Sequence, residues 1–186
     1  MGSRRRWLQG LGLFGAYLAA AKLGLTFDAD SGIATPVWPP TGIALASLFL
    51  AGIRLWPAVS LAAFVVNVQA GAPIVAALGI AAGNTLEAVA GAWLLQRAQV
   101  SPALDRTRDA VALLSLAALL STTISATLGA LSVWGSGAAA GRFRDLWWVW
   151  WVGDAGGDLV VAPFLMTWSI HSRFTPGDRR MHPGRS

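Results

Sequence analysis

Asp154 and Asp158 stand four residues apart inside WWVWWVGDAGGDL (Trp147–Leu159), and Asn84 and Glu87 stand three apart inside GNTLEAVAGAWLL (Gly83–Leu95). On a helix, either spacing puts both side chains on one face. Carboxyl groups and an amide set into apolar segments can hold protons, take up a cation or bind a small polar ligand. Catalysis fits less well. No nucleophile–base pair, metal-ligand cluster or phosphate-binding loop accompanies these residues, and the sequence reads as that of a non-enzyme.

The segments that must position these residues are membrane-spanning in composition. Of 186 residues, 55% are hydrophobic and 12% charged, and the mean hydropathy is +0.56. A soluble domain carries about 25% charged residues, and its helices keep a polar face. A hydrocarbon core of about 30 Å needs roughly 20 apolar residues per helix. By that measure six spans are expected: Trp7–Phe27, Pro39–Ile53, Trp56–Gln69, Pro73–Leu95, Asp109–Trp134 and Leu146–Ser169. The second and third are short, meet around Arg54, and read as a tight helical hairpin. Pro39 and Pro40 suit the start of a helix, where N–H groups lack partners in any case. The fifth span carries the polar run Ser121–Ser125 and is expected either as one kinked helix or as two pieces. The opening RRRWLQGLGLFGAYLAAAKLGL has the outline of a signal peptide. Its apolar stretch is long, however, and Lys22 falls where cleavage would occur, so it reads as a retained first helix.

Charge bias sets the expected topology. With six spans and both termini cytoplasmic, the inner segments hold Arg4, Arg5, Arg6, Arg54, Arg97, Arg106, Arg108, Arg173, Arg179, Arg180 and Arg185. The outer loops hold Arg142 and Arg144, with Asp28 and Asp30 on the same side. This is the positive-inside pattern. The fold class expected is an all-α polytopic bundle, divided into a basic N-terminus (1–6), a transmembrane domain (7–170) and a polar, basic tail (171–186). A net charge of +5 and a pI near 11.3 do not point to nucleic acid, because the bases are scattered in short loops rather than gathered in a stripe. The absence of cysteine excludes disulfides and thiolate metal sites. His171 and His182 both fall in the tail, so neither a metal nor a haem site is expected within the membrane.

Depth ties the two polar pairs together. At 1.5 Å per residue, Asp154 lies about 14 Å below the outer end of the last span, Asn84 about 16 Å below that of the fourth, and Glu87 and Asp158 near 20 Å. Matched polar faces at matched depths are expected to meet in the bundle core. An ionised carboxylate there costs a few kcal/mol even on lenient scales, and such groups face the interior. Lys22 is the one base at comparable depth. Either the acids form a protonated, hydrogen-bonded network that fixes helix register, or they line a cavity for a cation, a proton path or a polar ligand. Asn67 and Gln69 either extend that lining outward or sit at the interface. Thr122, Thr123 and Ser125 are expected to bond carbonyls one turn back. Trp147, Trp148 and Trp150 suit an aromatic belt, with Trp151 deeper beside the pocket. The pairs Ala16/Ala20, Gly79/Gly83 and Ala88/Ala92 have the small-residue spacing of close helix packing.

Three ordered motifs now bear on family. WPPTGIALASLFLAGIRLWPAV (Trp38–Val59), GNTLEAVAGAWLL (Gly83–Leu95) and WWVGDAGGDLVVAP (Trp150–Pro163) together resemble the bacterial membrane-associated sensor domain called MASE, type one. Trp38, Pro39, Pro40 and Gly42 match its proline motif, Asn84 and Glu87 its asparagine–glutamate motif, and Trp151, Gly153 and Asp154 its WWxGD motif. The pattern gives no help with Asp158. The resemblance implies a multi-helix bacterial inner-membrane domain of the kind fused to histidine kinases, diguanylate cyclases or phosphodiesterases. The candidate ligand-binding set is Trp38, Asn84, Glu87, Trp151, Asp154 and Asp158. Depth gathers the amide and the three acids. Trp38–Thr41 is expected to pack beside the outer half of the last span, where Trp38 and Trp151 would form an aromatic lid over them. The family runs on to more helices than the six counted here, and no output domain is legible in HSRFTPGDRRMHPGRS. Gly156–Asp158 matches a cyclase triplet by coincidence, since it lies inside a membrane segment.

The function expected is therefore a non-catalytic sensor that perceives a small ligand or ion in an acidic intramembrane cavity. It would relay this to a protein partner, in the membrane or at the cytoplasmic face. Two other readings stay open: an accessory subunit of a respiratory or photosynthetic complex, and the substrate-binding component of a small-solute transporter. The lipid bilayer is a partner in all three, nucleic acid in none, and the sequence names no cofactor.

Overall fold

The computed structural model of the chain describes residues 2–31, 36–138 and 142–171. The predicted roles of Asp28 and Asp30, and of the tail with His182, lie outside the residues whose side chains are described. Six helices make up the fold: α1 (Gly2–Ser31), α2 (Pro39–Ala51), α3 (Trp56–Gln69), α4 (Ile74–Arg97), α5 (Thr107–Gly135) and α6 (Phe143–His171). The described residues contain no strand, and the chain is an all-α membrane bundle. Arg4–Arg6 lie in the first turns of α1.

Length and composition qualify Arg4–Thr26, α4 and α5 as full membrane spans, whereas Pro39–Ala51 and Ile53–Gln69 are shorter apolar helices. The expected tight turn is present, but the hairpin is not. Helices α2 and α3 do not pack on each other, since α2 packs on α1, α4 and α6 whereas α3 packs on α1 and α4. Pro39 and Pro40 occupy the first turn of α2, and Gly52 ends it at φ 110°, a conformation that side chains with a Cβ resist. A single 3₁₀ turn, Ile53–Leu55, then leads into α3.

Successive helices run in opposite directions. Neighbours around the ring are α1, α3, α4, α5, α6 and α2, and α2 returns to α1 while also touching α4. One end of the bundle is thus marked by Trp38 and Trp147–Trp151, the other by Arg6, Arg54 and Arg97. Large apolar side chains face outward on five helices, among them Trp7, Leu61, Val75, Leu114 and Val160. On α2 no large apolar side chain is exposed, and Pro40, Leu45 and Leu48 are buried there. The shortest helix is the core helix.

Glycine lets the core helices approach. Backbone meets backbone where α2 crosses α6: a Cβ on Gly156 would strike the Pro36 carbonyl, one on Gly157 the Trp38 carbonyl, and one on Gly42 the Gly157 carbonyl. On α4, Gly79 and Gly83 face Ser132 and Ser125–Leu128 of α5, and Ala88 and Ala92 are buried, so both pairs serve as expected. The pair on α1 does not. Ala16 is exposed and Ala20 half-buried, so that stripe faces away from the bundle.

The fifth span is one continuous helix, with its middle, Leu113–Ser121, wound as π-helix. The predicted polar knot begins where the π stretch ends. There Ser121 Oγ donates to the Ala117 carbonyl at 2.7 Å, and Thr122 Oγ1 to Ala118 at 2.6 Å. Hydroxyls of this kind take up carbonyls that a wider turn leaves under-bonded.

Candidate functional site

Five of the six helices send polar side chains to one level of the core. From α2, Thr41 Oγ1 donates to Asp154 Oδ1 of α6 at 2.8 Å. From α4, Asn84 Nδ2 donates to the Tyr17 hydroxyl of α1 at 2.9 Å, and Asn84 Oδ1 accepts from Ser125 Oγ of α5 at 2.8 Å. Helix α3 contributes nothing here. Asn67 bonds the Ala63 carbonyl of its own helix and Gln69 is exposed, so the outward extension of the lining is not present.

Below this network lie the acids. Glu87, Asp154 and Asp158 are 1%, 3% and 1% exposed. They lie within electrostatic reach of one another, and Ser125 adjoins both Glu87 and Asp154. Both oxygens of Glu87, both of Asp158 and Oδ2 of Asp154 are buried without a hydrogen-bond partner. Lys22, the base expected nearby, is exposed. Among the described residues, the ion pairs are Arg108–Asp109 and Arg144–Asp145, and neither reaches this cluster. Nor, among those residues, is any set of three side chains spaced as a metal cage.

Local sequence explains the placement. The Trp38 N–H donates to the Gly153 carbonyl at 2.7 Å, which anchors the start of α2 one residue before Asp154. With Gly156 and Gly157 lacking side chains, α2 settles against α6 closely enough for Thr41 to reach the carboxylate. The Trp38 ring turns the other way, onto α1, where a Cβ on Gly24 would come within 2.7 Å of Cζ3. Trp151 points to α5 instead. Its indole N–H donates to the Leu119 carbonyl at 3.2 Å, inside the π stretch, and its ring stacks on Trp147 at 6.0 Å. The expected aromatic lid of Trp38 and Trp151 over the acids is therefore replaced by two separate anchors, Trp38 on α1 and Trp151 on α5. Trp150 lies against Gly129 of α5 and Trp147 donates to Thr127 at 3.0 Å, while Trp148 stays half exposed.

Residues 9–182 match the sequence profile of MASE1. The chain belongs to the MASE1 family. Membership makes it a membrane-associated sensor domain, of a family generally non-catalytic whose members relay to other domains. Comparison with curated proteins and with solved structures gave no match. In this MASE1 domain the three sequence motifs thus become one object: the proline motif docks on the WWxGD helix, and the asparagine–glutamate motif faces both.

Sequence reading missed one member of the site, Tyr17, and placed Thr41 beside the last helix without its bond to Asp154. Tyr17 is the sole tyrosine of the chain and is 1% exposed; no spacing on α1 singles it out. Thr41 sat within the proline motif, and its place directly after two prolines was the available signal. Replacing Asn84 with Leu should orphan the Tyr17 hydroxyl and lower stability by about 1–3 kcal/mol. Tyr17→Phe, which leaves Asn84 its bond to Ser125, should cost less. Denaturation of both variants in mixed micelles, followed by circular dichroism, gives the ordering.

Proposed function

We propose that this MASE1 domain is a non-catalytic, multi-pass sensor of the bacterial inner membrane whose signal is positive charge arriving at Glu87, Asp154 and Asp158. The observation that carries this reading is the set of five buried carboxyl oxygens without partners on three adjoining acids. Three such groups cannot all be ionised and uncompensated in a membrane interior, so the cluster exchanges charge as a unit. A proton is the smallest carrier, and a monovalent or organic cation the next. Asp154 reports the change to Thr41 and through it to α2. Helix α6 carries it to the opposite end of the bundle, where a partner or a following domain reads it. Trp38, Asn84 and Trp151 hold the helices around the acids.

Tryptophan emission tests the idea, because Trp147, Trp150 and Trp151 all ride on α6. In lipid nanodiscs, wild-type emission should change along a pH series or on titration with sodium or potassium salts. In Glu87→Gln/Asp158→Asn the response should be lost while helicity is retained. An unaltered titration in that double variant would remove the acids from the sensing role.

A further inference from the structure

At the arginine end of the bundle, the start of α1, the α2–α3 turn and the end of α4 enclose a groove of about 350 Å³. Its polar lining is Arg6, Gln9, Arg54 and Gln96, and no acidic residue lines it. Arg6 and Arg54 lie 48 positions apart in sequence, yet both residues border one concave space and both are exposed. The turn is built for this. Gly52, at φ 110°, reverses the chain, its N–H is taken up by the Leu48 carbonyl and its own carbonyl accepts from Leu55. Leu55 is buried in the core, which fixes Arg54 on the groove side of the 3₁₀ turn. Gln96 is braced by donation to the Phe49 carbonyl at 3.4 Å. The adjacent cation, Arg97, is occupied elsewhere, stacked on Trp93 with its guanidinium carbon 5.1 Å from the ring centroid.

We propose that this groove binds a phosphate-bearing anion, presented either by an anionic phospholipid headgroup or by a soluble phosphate ester. Guanidinium groups recognise phosphate through paired, charge-assisted hydrogen bonds. Two of them beside two carboxamides supply donors without a competing carboxylate. Basic pockets between membrane helices at the headgroup level take phosphorylated lipid headgroups for the same reason, and the volume lies within the range of small-ligand sites. Retention of positive charge on one side of a membrane does not require convergence: Arg142 and Arg144 at the other end are exposed and line no part of this groove.

The full chain, purified in neutral detergent, is offered phosphatidylglycerol, cardiolipin and phosphatidylcholine, and bound lipid is counted by native mass spectrometry. A parallel arm titrates inorganic phosphate and glycerol phosphate into nanodiscs of phosphatidylcholine alone and follows thermal unfolding. Preference for the anionic lipids should weaken about ten-fold in each of Arg6→Gln and Arg54→Gln and survive in Arg142→Gln/Arg144→Gln. That result, with no response to soluble phosphate, assigns the groove to a lipid headgroup. Protection by soluble phosphate, absent in the two groove variants, assigns it to a phosphate ester. Should Arg54→Gln disturb the turn, as circular dichroism would reveal, Arg6→Gln and Gln96→Leu carry the comparison. If the groove variants match the Arg142/Arg144 control in both arms, the site does not exist.

Discussion

Valine in place of Gly157 should pull α2 off α6 and leave the domain barely folded. The added Cβ would enter the Trp38 carbonyl and come 3.4 Å from the Gly42 amide. Both are backbone atoms, so no rotamer change relieves the contact. Overpacking a tight core costs about 1–3 kcal/mol when side chains yield, and a backbone clash belongs at or above the upper end. The loss spreads beyond the contact itself. Separating α2 from α6 breaks the Trp38–Gly153 and Thr41–Asp154 hydrogen bonds together and admits lipid or water beside the acids. Gly157→Ala should show a weaker form of the same defect. Gly10→Ala, where nothing lies within 4 Å of the new Cβ, should be neutral or slightly stabilising. Unfolding in mixed micelles, monitored by circular dichroism, compares the three. Equal midpoints for Gly157→Ala and Gly10→Ala would contradict the close approach.

Lysine at position 87 should have the opposite character, preserving the fold while silencing the response. It would set an ammonium group between Asp154 and Asp158 and supply internally the positive charge that, on our proposal, arrives from outside. Removing one partner of a buried ion pair costs about 3–5 kcal/mol, so supplying a missing one should offset much of the burial cost of the new charge. Glu87→Lys is therefore expected to remain folded and to show no change of tryptophan emission with pH or salt. Glu87→Lys combined with Asp154→Asn and Asp158→Asn should be strongly destabilised, because the ammonium then lacks a partner. A triple variant as stable as Glu87→Lys alone would mean that the three side chains do not share one site.

Which parts of this structure were legible in the sequence follows from what each signal measures. Apolar run length fixed the six helices to within a few residues, because in lipid every backbone group must be bonded within its own helix. Depth arithmetic brought Asn84, Glu87, Asp154 and Asp158 to one level for the same reason: a helix is a ruler of constant rise. Azimuth was less accessible. Ala16 and Ala20 have the same spacing as Gly79 and Gly83, yet only the latter pair meets a neighbour. Trp38 and Trp151 share a level but point to different helices, α1 and α5. The π stretch gave no warning either, since Leu113–Ser121 (LLSLAALLS) is ordinary helix-forming sequence. The arginine groove joins residues from three separate segments, and their convergence is a property of packing alone.

The shallowness of α3 has a consequence for the membrane itself. Between Arg54 and the polar pair Asn67 and Gln69, this helix shows its surroundings an apolar length of about 20 Å at 1.5 Å per residue. A typical hydrocarbon layer is about 30 Å thick. Leu61 and Trp56 face outward along that stretch, so acyl chains packed beside it must shorten, tilt or dimple to keep the polar ends wet. Elastic strain of this sort costs fractions of a kcal/mol per ångström of mismatch. It is borne on one flank only, since α4 and α5 are full length. The bilayer beside α3 is therefore expected to be thinner than beside α4 and α5, and lipids with long, saturated chains are expected to be depleted there.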